Sequence, residues 1–421
     1  MGDVSKRATF GSVFAVGEFR ALWSAELLSV AGDQLARVAL SVLVYGRTHS
    51  AALTGLTYAL TFVPSLAGGV FLAGLADRFP RRDIMVVIDL ARMALIALAA
   101  LPGTPLVVLG ALVAGVSLVN APFKAAQLAL LPDVLGADRY VLGMALRTIT
   151  NQSAQLAGFA GGGLLVAAVD PHIGLALDAV TFGASAVVIW LGVDRRAAPA
   201  IDSTPAVNKS PLASSATAVR FIAANRALRS LIVMSWLTGL FIVYEGLAAP
   251  YAMPLGGNAA VGVVLASDPL GAMVGAFVWG RFVPRELGAR LVGVVTLLAG
   301  VPLIGCLFRP GLAVSTVLFA TAGALGTAAL MQSTASFVEL LPHSGRAQAL
   351  GLSNSGLTTV MGLSPFAAGA VADHLDTATT IGLVGVVGTL IGAGVAATWR
   401  RALAATPVGA RIPGAQPAGE G

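Results

Sequence analysis

The sequence predicts an all-α membrane protein, with twelve transmembrane helices in two pseudo-symmetric bundles of six. Three observations lead there. Hydrophobic residues make up 57% of the 421 positions and charged residues only 11%, against about 25% charged in ordinary soluble domains. The apolar residues fall in long runs, separated by short stretches of proline, glycine and charge. Lysine and arginine gather in every second intervening segment, the bias that marks the cytoplasmic side of a membrane protein. With a mean hydropathy of +0.85, the chain has too little polar surface to cover itself in water.

A helix needs about 20 mostly apolar residues to cross the hydrocarbon core. Such stretches lie at 20–46, 52–76, 83–101, 105–130, 140–168, 173–193, 228–250, 259–281, 290–307, 312–334, 349–371 and 379–399. Turn chemistry or charge separates them, as at Asp77–Arg82, Pro132–Asp138 and Pro342–Arg346. The segment 194–227 is rich in alanine, serine, proline and charge, and reads as a polar linker. It divides the chain into an N-terminal bundle over 1–193 and a C-terminal bundle over 228–399, with a tail over 400–421. The fifty glycines are scattered among alanine, leucine and valine, where small residues let helices approach closely in lipid.

With the N-terminus inside, the cytoplasmic segments hold Lys6, Arg7, Arg78, Arg81, Arg82, Lys209, Arg285, Arg346 and Arg411 among others, and the outer loops hold Arg47 and Arg309. That places both termini in the cytoplasm of a cell with a plasma (inner) membrane. The alanine-, glycine-, valine- and arginine-rich composition points to a bacterium. The net charge of +6 is spread along these segments and forms no nucleic-acid patch. No cleaved signal peptide is read at the start. Weak internal repetition supports the two bundles: Pro132 and Pro342 sit in similar contexts 210 residues apart, and RFPRR from Arg78 is echoed by RFVPRE from Arg281.

Enzymatic chemistry finds no foothold. There is one cysteine, Cys306, so no disulfide framework or cysteine metal site. His49, His172, His343 and His374 all fall in predicted loops, and no nucleotide-binding, hydrolase or metalloprotease motif is present. No cofactor or metal is expected. The remaining partners are a small molecule, protons and membrane lipid, with the chain acting as a monomer.

Ionisable groups inside a span are costly and mark functional pathways by default. In the first span Glu26, Asp33 and Arg37 are spaced by seven and four, on one helical face. Asp33 lies near the midplane and Arg37 is placed to pair with it. Burial and a neighbouring cation pull its proton affinity in opposite directions, which suits a group that exchanges a proton. Asp33, with Arg37 and Glu26, is the expected proton-coupling site. Asp89 and Arg92, spaced by three, are expected in a charge network at the cytoplasmic gate, with Asp77, Arg78, Arg81 and Arg82 in the loop before them. Arg147, Asp178, Glu245 and Asp268 are candidates for the substrate cavity. Arg147 needs a carboxylate, and Lys124 is expected to snorkel to the cytoplasmic interface. Glu245 sits beside Tyr244 and near Tyr251, either as a site for a lipophilic cation or in an aromatic belt at the outer interface. Asp268-Pro269 is placed to break the eighth span.

The loop after the second span reads AGLADRFPRRDIMV and resembles the signature loop of the major facilitator superfamily, with Asp77, Arg78, Arg81 and Arg82 at matching positions. Ala73 and Pro80 stand where glycine is usual. FRALWSAELLSVAGDQLARVALSVLVY, VVIDLARM, NAPFKAAQLALLPDVL and ALDAVTFGASAVVI are similar to the bacterial multidrug and siderophore exporters, and LAGFAGGGLL to their glycine-rich antiporter motif, without its proline. The resemblance implies the major facilitator fold and alternating access, with export of an amphiphilic drug, antibiotic or secreted metabolite by proton antiport. A nutrient or siderophore importer on the same fold is the alternative; a membrane-embedded enzyme is a more distant one.

Overall fold

A computed structural model describes residues 9–72, 74–196, 219–341 and 346–405. Lys6, Arg7, Ala73, Lys209, Pro342, His343 and Arg411 lie outside the described residues, as do most of the linker and the end of the tail. Of Asp77 and Arg285 the backbone alone is described.

The described residues form helices and no strands. A short α1 (Phe10–Phe14) leads into α2 (Gly17–Thr48), α3 (Ala51–Leu60), α4 (Val63–Phe71), α5 (Leu75–Arg78), α6 (Arg81–Ala99), α7 (Leu106–Ala168) and α8 (Pro171–Gly192). After the linker come α9 over 219–224, α10 (Arg226–Phe241), α11 (Val243–Gly246), α12 (Ala248–Phe282), α13 (Arg285–Ile304), α14 (Leu312–Leu340), α15 (Arg346–Ala372) and α16 (Thr377–Ala405). Ten stretches among them are long and apolar enough to cross a membrane, so this is a multi-pass membrane protein. The other two expected spans are helical but outside that set: α6 carries Arg81, Arg82, Asp83, Asp89 and Arg92, and the second arm of α7 is studded with Asp138, Arg139, Arg147 and the polar run Thr148–Gln155.

Local chemistry sets the helix ends. Ser50 caps α3 by accepting from the Leu53 amide at 3.2 Å, Asn225 caps α10, and Asp170 with Pro171 starts α8. Asp376 caps α16, accepting from the Thr379 hydroxyl at 2.6 Å and its amide at 2.9 Å. Those bonds, the hydroxyl's first, hold its carboxyl down to about 2. The expected loop at Pro132–Asp138 shrinks to one residue: α7 is helical on both sides of Gly136, whose φ of 66° and ψ of 169° only glycine adopts readily. Gly256 and Gly257 make the corresponding turn in α12, with φ of 66° at Gly257. Asp268-Pro269 stays inside continuous helix, so the eighth span is not broken there, while the Gly256-Gly257 turn falls in the expected gap between the seventh and eighth spans. The second span is instead interrupted at Thr61-Phe62, between α3 and α4.

Helices α2 to α8 pack chiefly among themselves, as do α10 to α16; the two groups meet where α3 lies along α15 and α7 along α12. The largest apolar cluster straddles both groups, joining Val38, Leu43, Ala51 and Phe159 with Tyr244, Ala260, Phe319 and Ala372. All of these lie toward the end that carries His49 and Arg309. Toward the opposite end, near Arg81 and Arg346, the core divides. Phe19, Met85, Leu131 and Ile189 cluster in the first group, and Leu228, Met234, Phe337 and Trp399 in the second. The molecule is thus closed at one end and parted at the other.

Two contacts define the closed end. Gly163 of α7 and Gly262 of α12 sit backbone to backbone, and a Cβ on either would collide with the other's main chain. Asp373, just past α15, accepts from the Ala51 amide at 2.6 Å, the Ser50 hydroxyl at 2.7 Å and the Ala52 amide at 3.3 Å. A carboxylate of one group thereby completes the N-terminal cap of a helix in the other.

Gly262→Val should force α7 and α12 apart and destabilise the protein by about 1–3 kcal/mol, read as a lowered thermal unfolding midpoint in detergent. Gly280→Val, where a Cβ meets nothing within 4 Å, should leave the midpoint unchanged; equal effects would refute the crossing as the cause.

Candidate functional site

The polar groups that the apolar helices carry inward collect in three places. The first is a pair between α2 and α7. Glu26 accepts from Arg147 Nε at 2.6 Å and Nη2 at 2.7 Å, and from the Asn151 amide at 3.0 Å. Arg147 also donates to Gln127 at 2.9 Å. Both side chains are about nine-tenths buried, and this fork supplies the carboxylate that Arg147 requires. Glu26 is therefore held by Arg147 and does not join Asp33, although they share a helix face.

The second is a ring of charge around Asp33. Asp33, Arg37, Arg92, Asn120 and Asp178 line a pocket of about 60 Å³ between α2, the end of α3, α6, α7 and α8, room for a few waters at ~10–15 Å³ each. Asp33 and Arg37 form no ion pair. Arg37 donates to Gln34 at 3.1 Å and lies over the rings of Phe62 at 4.7 Å and Tyr58 at 5.8 Å. Asp33 accepts no hydrogen bond from the described residues and faces the pocket. Asp178 is buried behind it, taking a bond from Thr181 at 3.3 Å, with Gly32 of α2 packed directly on the pair.

Arg92 anchors this ring. It bonds Asp89 at 3.3 Å and Asn120, and lies 4.6 Å from the Phe123 ring centroid and 5.4 Å from that of Phe182. Asp89 also takes a 2.6 Å bond from Ser185. Both members are essentially inaccessible, at 0% and 2% exposure. Their hydrogen bonds run to Asn120 of α7 and Ser185 of α8, within the first helix group. A buried pair bonded to two neighbouring helices in this way fixes how α6, α7 and α8 pack.

Lys124 follows Asn120 and precedes Gln127 on one stripe of α7. It does not reach for the interface. The residue as a whole is exposed, and its strongest favourable charge interaction is with Asp33.

The third place spans the two groups. The Tyr58 hydroxyl of α3 donates to Glu245 of α11, and the Tyr244 hydroxyl donates to Asp268 of α12 at 2.9 Å. Tyr244 stacks on Phe319 at 4.1 Å between centroids, and Tyr251 bonds Ser315 at 2.7 Å. Tyr244, Glu245 and Tyr251 are all buried, so they form no aromatic belt. A tyrosine hydroxyl bonds one oxygen of each carboxyl, and the other oxygen of Glu245 and of Asp268 takes no hydrogen bond from the described residues.

The loop before α6 does its pairing elsewhere. Arg81 bonds Asp133 at 2.7 Å and the Ala129 carbonyl at 2.8 Å, Arg82 reaches the Val193 carbonyl at 3.3 Å, and Arg78 is exposed. Arg195 and Arg196 add pairs to Asp83 and Glu18.

Sequence reasoning missed Tyr58, Gln34, Gln127, Ser185, Asp133 and Asp373. The stripe Asn120, Lys124, Gln127 carried a usable signal, since spacings of four and three on an apolar helix put three polar groups on one side. Ser185 and Tyr58 carried none, as their partners lie 96 and 187 residues away.

Removing one partner of a buried pair strands the other. Arg147→Ala should cost about 3–5 kcal/mol, and Glu26→Ala with Arg147→Ala together should cost less than Arg147→Ala alone. Chemical unfolding of the three variants checks it; additive losses would contradict the pairing.

Residues 22–259, more than half the chain, match the model of the Major Facilitator Superfamily. The enterobactin exporter EntS of Shigella boydii serotype 4 is 28% identical over 277 residues, covering 62% of this chain and 63% of that protein. Its counterpart in Citrobacter koseri is 27% identical with the same coverage. The chain thus spans somewhat under two-thirds of the curated relatives it matches. Among solved structures, a bacterial homolog of the human lysosomal transporter Spinster in an inward-facing, occupied conformation superposes with a TM-score of 0.70 at 16% identity, over 92% of this chain and 96% of that one. The nucleoside transporter NupG gives 0.70 at 13%, over 92% and 100%. At those identities the likeness speaks for the fold alone. The chain belongs to the Major Facilitator Superfamily.

Proposed function

We propose that this protein is a secondary transporter that exports a small amphiphilic molecule, a drug, antibiotic or secreted metabolite, by alternating access coupled to proton entry. One observation carries the reading. The helix groups are sealed at the His49 end and parted at the Arg81 end, and a carboxyl without a hydrogen-bond partner, Asp33, faces the pocket between its own helices.

The division into two bundles, 1–193 and 228–399, joined by the 194–227 linker, supplies the moving bodies, with α6 and the second arm of α7 completing twelve spans. The lysine and arginine bias puts the parted end and both termini in the cytoplasm of a bacterial inner membrane. The described conformation is then inward-open, ready to load cargo. Asp33 is the proton carrier. Arg37, held only by Gln34 and two rings, and Lys124, exposed nearby, are the mobile cations that answer its change of charge. Asp178 shares the pocket as the second acidic group.

Glu26 and Arg147 position α2 on α7 rather than exchange protons. Asp89 and Arg92 hold the pocket wall. Asp77, Arg78, Arg81 and Arg82 act at the cytoplasmic mouth, where Arg81 to Asp133 ties the loop to the end of the first arm of α7. Glu245 and Asp268 line the path; the Tyr58 bond to Glu245 links the bundles, and the Tyr244 bond to Asp268 lies within the second. The exporters of enterobactin among the relatives favour outward movement; a single subunit is sufficient for the cycle.

Two tests follow. In proteoliposomes, Asp33→Asn should abolish substrate movement driven by a proton gradient yet retain substrate–substrate exchange; undiminished gradient-driven transport in the variant rules out Asp33 as the carrier. In whole cells lacking Cys306 through Cys306→Ala, a cysteine at His49 should react with an impermeant maleimide and one at Arg78 should not; the reverse pattern inverts the topology.

A further inference from the structure

The second helix group holds a pocket that none of the charged sites uses. It measures about 260 Å³ and opens between α10, α14 and α15. Whole-ligand pockets run to roughly 300–1,000 Å³, so this one fits part of a molecule, a group of one or two rings. Its apolar wall includes Phe337 and Leu357, and its polar lining is Ser235, Ser333, Thr334, Ser353 and Asn354. No charged residue lines it. Toward the closed end, α15 touches α3 and α4, with Gly362 against Phe62 and Val63. The pocket begins about one turn further along α15 toward Arg346, on the side where the two groups part.

The polar lining is unspent. Ser333 is 1% exposed, and its Oγ has no hydrogen-bond partner. A helical serine so buried ordinarily bonds the carbonyl a turn back, as Thr296 does to Val292 at 2.8 Å. Leaving a hydroxyl unpaired in an apolar site is unfavourable, so the site is built for a partner that arrives. The Ser235 hydroxyl and Asn354 amide likewise bond nothing among the described residues. Ser353 is fixed from behind, its carbonyl accepting from Trp236 Nε1 at 3.0 Å, and Gly356 is the next turn's contact with that same indole.

We infer that this pocket is a cargo subsite that receives an uncharged ring bearing a hydroxyl or carbonyl, with Ser333 as its hydrogen-bond partner. The inference rests on the transporter reading and names the part of the cargo that lies away from the charges. The first bundle supplies the ionic and protonic contacts; the second supplies a neutral slot. A cargo with a charged or polar head and a hydroxylated aromatic tail bridges the two.

Binding tests it without relying on transport. The probes are naphthol and naphthalene, which differ by one hydroxyl, titrated onto the full chain in lipid nanodiscs, with empty nanodiscs correcting for partition into lipid. Wild type should bind naphthol about tenfold more tightly than naphthalene, one hydrogen bond's worth. Ser333→Ala should erase that preference while keeping naphthalene binding. Leu357→Trp, which fills the slot, should abolish binding of both, and Asp33→Asn should change neither. Equal affinity for the two probes in wild type, or a preference that survives Ser333→Ala, overturns the subsite. Should the preference hold while proteoliposomes carry no substrate, the pocket stands and the transporter reading fails; transport with no preference fails the pocket alone.

Discussion

A charge inside hydrocarbon must find a partner, and nearly every interior feature of this protein follows from that requirement. Backbone amides and carbonyls meet it locally by closing helices. Side chains meet it only across helices. Glu26 takes Arg147 from a helix 121 residues on, Asp89 takes both Arg92 and Ser185, and Glu245 and Asp268 take tyrosine hydroxyls. Each solved charge fixes the rotation of two or three helices, which nondirectional apolar packing would leave loose. Asp33 is the exception. It faces the pocket without a hydrogen bond from the described residues and has three cations within electrostatic reach, the arrangement of a group free to change state.

The same requirement divides the molecule by chemistry. The first helix group carries its polarity as ions, in fixed pairs around one open carboxyl. The second carries it as hydroxyls, amides and two tyrosine-bound carboxyls. The groups share one apolar core at the closed end and keep separate cores at the other. Small residues allow the shared seam: glycine faces glycine where α7 crosses α12, and Gly55, Gly246 and Gly369 give α3, α11 and α15 their close approach.

Much of this was legible in the sequence. Apolar runs located the helices to within a few residues, and the signature loop after the second span identified the family before any coordinate. Turns were legible to a segment and not to a residue: Gly136 and Gly257, with positive φ, turn the chain inside the expected gaps at Pro132–Asp138 and between the seventh and eighth spans, whereas Asp268-Pro269 looks like a break and is none, because proline is tolerated within a span. Partnerships were the least legible. Spacing on one helix put Arg37 beside Asp33, yet Gln34 and two aromatic rings took the guanidinium instead. Glu26 looked like a companion of Asp33 until α7 presented Arg147. Periodicity reports which face a residue occupies; it is silent on what the facing helix brings, and in a bilayer the facing helix decides.

The seal at the closed end has a physical character of its own. Asp373 holds α3 by completing its first turn, through the amides of Ala51 and Ala52 and the hydroxyl of Ser50. Parting the groups there means uncapping a helix at the membrane surface. The freed amides and carboxylate pass to water, never to lipid, so the latch yields for about the ~1 kcal/mol that a cap contributes. A buried ion pair in the same place would lock. A borrowed helix cap behaves as a latch that thermal motion can lift.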